Sequence, residues 1–167
     1  KVLNWLNHMQ IKLNQFSRRQ HIFVLLTASG LSVVQFQRSF TGWNCLNSAS
    51  LVLIEAAQDF SELFTKLRNA TAEWNIPAAT WVSWIMPSDI LAVVQYCKPK
   101  DQVADISNLF PFERNEIQIS DFREASDKPQ PIYWIHKDWV TEVIKISAEL
   151  GWVCDEIYSR AQLMKGA

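Results

Sequence analysis

The chain has 167 residues, of which 49% are hydrophobic and 20% charged, and its formal net charge is −1. This length and composition are typical of one folded domain, with room for two small lobes, and they exclude a disordered chain. A net charge close to zero gives no general attraction for phosphate backbones, so we expect no nucleic-acid partner.

The first predicted elements are a helix and a β-hairpin. Residues 1–20 repeat apolar side chains at helical spacing, at Val2, Leu6, Met9, Leu13 and Phe16. We expect this apolar stripe to pack against the protein's own core. The alternatives are that it packs against a partner or against a second copy of the chain. The runs 22–26 and 31–36 are rich in β-forming residues and flank a short glycine turn, which predicts a hairpin. A weaker strand is predicted at 43–46.

The middle of the chain predicts a helix, two strands and a short helix. The first helix covers 59–75, with Asp59 and Glu62 as a capping pair, and it ends before Pro77. Its apolar face comprises Phe60, Leu63, Phe64, Leu67 and Trp74. Strands are predicted at 80–86 and 90–97, and a short helix at 101–109 ends before Pro111.

The last third predicts strands around one long helix. Residues 116–122 alternate in polarity, which indicates a strand with one solvated face, and 126–131 has the composition of a loop. A strand at 132–135 precedes a helix that ends at Gly151. A short strand at 152–157 and a helical turn at 161–164 follow. This order predicts an α/β or α+β fold with a mixed sheet.

Eight tryptophans are the unusual feature of the composition. Most are expected to fill the core, and the alternative is that a few anchor a partner protein. They are Trp5, Trp43, Trp74, Trp81, Trp84, Trp134, Trp139 and Trp152.

The three cysteines, Cys45, Cys97 and Cys154, are far apart in the sequence. We therefore expect small buried hydrophobes in a reducing compartment rather than a disulfide framework.

No catalytic, cofactor-binding or metal-binding residue is predicted. His8, His21 and His136 form no His-x-x-x-His pair and have no cysteine cluster nearby. The group His136-Lys137-Asp138 precedes a helix, which favours helix capping over catalysis. The acidic residues Glu113 and Glu116 are interpreted as part of a turn. The chain has only four glycines, and they are not spaced as a nucleophile elbow or a glycine-rich phosphate loop requires.

Two segments resemble a known family. Segment 109–122 reads LFPFERNEIQISDF, and segment 135–153 begins IHKDWV and ends ELGWV. They resemble the actin-like assembly proteins of type IV pili and type II secretion, the PilM and GspL families. In these families a helix ending in a Pro-Phe phrase precedes a strand, and a strand, an apolar helix and another strand follow later. The resemblance covers roughly residues 20–165 by order of elements.

The resemblance implies a partial actin-like, ribonuclease-H-like fold with a small inserted subdomain. Residues 1–79 would hold the N-terminal helix, the hairpin and the first long helix of an actin-like lobe. Residues 80–130 would form the inserted αβ subdomain, and 131–167 the remainder of the lobe.

The first hairpin turn departs from the actin-like ATPases. Those enzymes place an Asp-x-Gly-Thr-type turn there, in which the aspartate holds the metal. Residues 26–32 read LTASGLS, without an aspartate and with a single glycine. Because magnesium requires hard anionic ligands, we expect no ATP hydrolysis.

Two functions remain. The favoured one is a non-catalytic scaffold at the cytoplasmic face of the bacterial inner membrane. It would dock the cytoplasmic assembly ATPase and the polytopic platform protein, with a membrane anchor outside these residues and a second copy as a further partner. The alternative is an actin-like nucleotide-binding enzyme, an ATPase or a kinase-like protein. The partner-binding residues are not predicted.

Overall fold

The computed structural model describes residues 20–53, 59–97, 109–120 and 128–164. The predicted helices at 1–20 and 101–109 lie outside these residues, apart from Gln20 and Leu109. The described strands are β1 (Gln20–Leu26), β2 (Gly30–Ser39), β3 (Gly42–Val52), β4 (Thr80–Met86), β5 (Leu91–Tyr96), β6 (Ile117–Ile119), β7 (Gln130–His136) and β8 (Trp152–Ser159). The described helices are α1 (Phe60–Thr71), α2 (Lys137–Glu149) and α3 (Arg160–Met164).

The larger sheet has five strands in the order β3-β2-β1-β4-β8. The first three strands are antiparallel neighbours, whereas β4 runs parallel to both β1 and β8. A parallel pair requires a crossover connection, which α1 supplies between β3 and β4. The predicted mixed sheet and α/β class are therefore confirmed.

The smaller sheet has three antiparallel strands in the order β5-β7-β6. Its own buried cluster comprises Tyr96, Phe110, Ile117 and Ile132. The boundaries predicted at residues 80 and 130 cut across these two sheets. Strand β4, assigned by sequence to the inserted subdomain, pairs within the larger sheet, and β7, assigned to the remainder, pairs within the smaller one. The periodicity that identified these strands contains no information about their pairing partners.

The main core lies between one face of the larger sheet and helices α1 and α2. Alternate residues of β1 point into it, and Ile22, Val24 and Leu26 are fully buried. The helices contribute Leu63, Leu67, Val143 and Ile146 to the same cluster. This period of two along the strand and the apolar helical faces are the patterns that predicted these elements.

The helix ends follow local chemistry. Asp59 Oδ1 accepts hydrogen bonds from the N–H groups of Ser61 (2.9 Å) and Glu62 (3.1 Å), which confirms the predicted N-cap of α1. Gly151 follows α2 with φ +78°, a left-handed conformation that favours glycine, as predicted. No helix in the described ranges is long and apolar enough to cross a membrane.

Two strand predictions needed correction. The weak strand predicted at 43–46 is part of β3, which has 11 residues. The strand predicted at 116–122 is only Ile117–Ile119 within the described residues, while 121–127 lie outside them. The sequence of β3 contains a single β-branched residue, Val52, so little in its composition marks a strand, and pairing with β2 orders it instead.

Candidate functional site

The turn between β1 and β2 is closed by its own polar groups. Both the backbone N–H and the hydroxyl of Thr27 donate to the carbonyl oxygen of Gly30, at 2.9 and 3.1 Å. The carbonyl of Ser29 accepts from the N–H of Leu53 at 3.1 Å. The turn has no carboxylate to hold a metal ion.

The single glycine of this turn has a packing explanation. A Cβ atom at residue 30 would lie 3.0 Å from the carbonyl oxygen of Leu51, on the neighbouring strand β3. This is closer than side chains normally approach backbone, so glycine allows β2 and β3 to come together here. Its presence therefore does not indicate a phosphate site.

Aromatic rings cover part of the outward face, which is the face of the larger sheet opposite α1 and α2. The His21 ring lies 4.6 Å from that of Phe23, and the Phe23 ring lies 5.8 Å from that of Phe36. Trp43 meets His21 edge-on at 6.4 Å. Such tilted and edge-on pairs are the favourable geometries for aromatic rings.

The aromatic cleft is a cavity of about 540 Å³ at one end of this face. Strand register creates it, because His21 pairs with Trp81 across β1 and β4, and Arg38 pairs with Trp43 across β2 and β3. Trp43 and Trp81 remain 51% and 48% exposed. The cleft is lined by Gln20, His21, Arg38, Trp43, Pro77, Ala78, Ala79, Thr80, Trp81 and Asp155.

The charge state of His21 is set by competing influences. Burial lowers the pKa of His21 below its usual 6.5, while the nearby carboxylates of Asp155 and Glu156 act in the opposite direction. Its Nε2 atom lies 2.8 Å from the hydroxyl of Ser83, which is almost fully buried. The ring is thus an uncharged, hydrogen-bonded wall of the cleft near neutral pH.

The described tryptophans include both kinds considered from the sequence, namely core residues and exposed residues that could anchor a partner. Trp84 and Trp152 are buried, and Trp74, Trp134 and Trp139 are partly buried. Trp43 and Trp81 are half exposed and share one cleft, whereas Trp5 lies outside the described residues. Sequence reasoning missed this pairing because the two residues are separated by α1, and only strand register brings them together.

The remaining titratable candidates have structural roles. His136 is the N-cap of α2, and its Nδ1 accepts from the N–H of Asp138 at 3.2 Å. Asp138 lies in the first helical turn, as the capping interpretation predicted. The carboxylate of Glu116 accepts from the N–H of Glu113 at 3.0 Å, which closes the predicted turn. Among the described residues, no group of histidines, cysteines and carboxylates could hold a metal ion.

The cysteines are less buried than expected. Cys45 and Cys97 are exposed, and Cys154 is half-buried. The prediction of three buried hydrophobes is therefore wrong for the first two. Cys154 lines a second cavity, of about 300 Å³, between β8 and the smaller sheet. Burial, reinforced by Asp155, raises the pKa of its thiol, which makes it a poor nucleophile.

Comparison with known proteins establishes the fold. No protein-family model matches the chain, and no curated protein matches it in sequence. Solved structures do match. The chain is similar to the cytoplasmic domain of EpsL, an inner-membrane component of the type II secretion system of Vibrio cholerae, with TM-score 0.55 and 7% identity over 83% of the chain.

Two further structures have the same architecture. A PilM–PilN type IV pilus biogenesis complex matches with TM-score 0.56 and 14% identity over 84% of the chain. A Bacteroides thetaiotaomicron protein with an actin-like ATPase fold and unknown function matches with TM-score 0.51 and 12% identity over 91% of the chain. The chain spans 57%, 47% and 56% of these three structures, or about half of each. The fold is therefore actin-like, and the resemblance seen in sequence is confirmed at the level of fold.

Proposed function

We propose that this chain is a non-catalytic scaffold of a type IV pilus or type II secretion assembly platform. It would lie at the cytoplasmic face of the bacterial inner membrane and dock the cytoplasmic assembly ATPase and the polytopic platform protein. The observation that supports this proposal most directly is the fold shared with the EpsL cytoplasmic domain and with PilM–PilN.

The hairpin turn supports the non-catalytic part of the proposal. In an actin-like ATPase this turn would supply a carboxylate to the metal and open N–H groups to phosphate. Here the Thr27 N–H and hydroxyl both bond to Gly30, and no acidic residue is present in 27–32. An actin-like fold that lacks this metal ligand can still serve as a binding surface for other proteins.

We propose the aromatic cleft as the docking surface for the assembly ATPase. Two half-exposed indoles flank a cavity large enough for one or two apolar side chains. Tryptophan is enriched among the residues that dominate protein–protein binding energy, particularly where it lines a pocket. Arg38 and Asp155 also line the cleft and give it one charge of each sign, which suits a polypeptide segment with an apolar anchor and polar flanks.

The test measures binding of the purified chain to the cognate assembly ATPase and, in a separate titration, to the platform protein, both by calorimetry. Truncation of either indole, Trp43→Ala or Trp81→Ala, is expected to weaken binding about tenfold or more, as loss of an interface anchor does. Phe112→Ala is the matched control, because Phe112 is similarly exposed (44%) but lies beside the smaller sheet.

Circular dichroism and thermal unfolding verify that each variant remains folded. If the wild-type chain binds neither the ATPase nor the platform protein, the scaffold proposal fails. If binding occurs and Phe112→Ala weakens it while both tryptophan variants bind normally, the partner docks on the smaller sheet and the cleft assignment is wrong.

A further inference from the structure

The outer edge of the larger sheet has an unusual composition. Strand β3 is the terminal strand of that sheet, and within the described residues nothing pairs with its outer side. Its 11 residues, GWNCLNSASLV, include no charged residue and no proline. Natural proteins commonly protect a long edge strand with charges, prolines or bulges, because its unpaired N–H and C=O groups are a template for another strand.

The opposite edge of the same sheet is protected in this way. Strand β8 contains Asp155 and Glu156, and Arg160 follows it directly. On β3 the ladder with β2 has a register shift opposite Gln35 and Phe36, which leaves Leu46 unpaired. At the end of the strand the ammonium of Lys66 donates to the carbonyl of Val52. Between these two features, residues 47–51 form a regular edge that contains no charged residue.

Large apolar side chains surround this edge. Phe40, in the turn before β3, is 84% exposed, and Val52, at its end, is 76% exposed. Trp43 and Leu46 add further exposed apolar surface between them. Exposed apolar side chains beside unpaired backbone are typical of an interaction site rather than of a solvated surface.

We infer that β3 pairs antiparallel with β3 of a second copy of this chain, joining two five-stranded sheets across a two-fold axis. A two-fold interface places the same patch on both partners, so the patch must complement itself. Residues 47–52 meet this condition, since they present no like charges to each other. The pair Ser32 and Ser50, with hydroxyl oxygens 3.1 Å apart, already forms this type of cross-strand contact between β2 and β3.

The charged groups nearest the edge are compatible with this arrangement. Lys66 donates a hydrogen bond to the carbonyl of Val52, and its ammonium also pairs with Glu62 at 2.9 Å. The charge at that end is therefore balanced. Pairing of one short edge gives an interface at the low end of the usual size range, so the dimer is weak and concentration-dependent.

Sedimentation velocity over a wide concentration range tests the dimer with the chain alone. The wild type is expected to change from monomer to dimer as its concentration rises. Ser48→Lys places two like charges at the paired edge and is expected to raise the dissociation constant about tenfold or more. Val153→Lys is the matched control, because Val153 is exposed on the other edge strand, and this substitution leaves self-association unchanged.

A second variant and a second readout guard against misfolding. Val52→Ser removes an exposed side chain that the fold does not need, and it also weakens the dimer. Hydrogen exchange of the amides in 47–52 slows as the protein concentration rises. A wild type that stays monomeric at every concentration, equal effects of Ser48→Lys and Val153→Lys, or unprotected β3 amides in the dimer would each overturn the inference. The result is independent of ATPase binding, which uses a different partner and assay.

Discussion

The indole N–H of Trp84 donates a hydrogen bond to the hydroxyl oxygen of Ser147 at 3.0 Å, which joins the centre of the larger sheet to α2. Both residues are fully buried. The Ser147 hydroxyl in turn donates to the carbonyl of Val143 at 2.6 Å, one helical turn earlier. The indole nitrogen of Trp84, the largest fully buried side chain, thus has its hydrogen-bond partner in Ser147. Replacing this serine by an apolar residue would leave the buried N–H unpaired and lower the stability.

We predict that Ser147→Ala lowers the free energy of unfolding by about 1–3 kcal/mol, because the buried indole N–H loses its acceptor. Urea denaturation followed by fluorescence measures this change. In the background of Trp84→Phe, the same serine substitution should cost less, since no donor remains to be left unpaired.

The control for this prediction is Ser32→Ala. Ser32 also bonds to another residue, Ser50, but that bond is exposed to water, which can replace it. Its removal should change the stability by less than about 0.5 kcal/mol. Equal costs at the two serines would show that burial of the Trp84 donor is not what makes Ser147 important.

The end of α2 gives a second prediction, at Gly151. Its φ of +78° is strained for residues with a side chain, although a Cβ there would meet nothing within 4 Å. Gly151→Ala is therefore expected to lower stability by about 1–2 kcal/mol through backbone strain alone. Gly151→Asn should cost less, since asparagine tolerates this conformation. Thermal unfolding compares the two, and equal losses would contradict a backbone origin.

Elements with local chemical signals were predictable from sequence. Asp59 begins α1 and Gly151 ends α2 because each requirement, a side-chain acceptor or a left-handed backbone, is met by one residue acting on its neighbours. The hairpin of β1 and β2 was predictable for the same reason, since a short turn leaves its two strands little choice of partner.

Strand pairing over long separations was not predictable. The aromatic cleft exists because β1 aligns His21 with Trp81 while β2 aligns Arg38 with Trp43. From the sequence alone, Trp43 and Trp81 are as consistent with a place in the core as with a surface cleft. The sheet to which β4 belongs was unpredictable for the same reason, because its apolar pattern fits either sheet and only its parallel pairing with β1 places it in the larger one.

The hairpin turn gives a third prediction. Calorimetric titration of the pure chain with Mg-ATP should show no saturable heat, because the turn lacks a carboxylate for the metal and Thr27 already bonds to Gly30. An actin-like ATPase titrated under identical conditions is the positive control. Saturable binding to this chain would support the nucleotide-binding alternative and contradict the proposed scaffold role of the fold.

The last prediction concerns pH and His21. Burial lowers the pKa of this histidine in the folded chain below 6.5, so the unfolded chain binds a proton at a higher pH than the folded chain does. Above about pH 6.5 the His21 ring is mostly neutral in both the folded and the unfolded chain, so it does not make the stability depend on pH. As the pH falls below about 6.5, the unfolded state gains protons first and stability decreases, until the folded pKa is passed.

His21→Asn should remove this part of the pH dependence. Asparagine can still bond to Ser83 but does not titrate, so the loss of stability between about pH 7.5 and 5.5 should be smaller in the variant than in the wild type. Urea denaturation at the two pH values measures both losses. The other histidines are unchanged, so their contribution cancels in the comparison. A larger loss in the variant would mean that Asp155 and Glu156, which favour the charged ring, outweigh its burial.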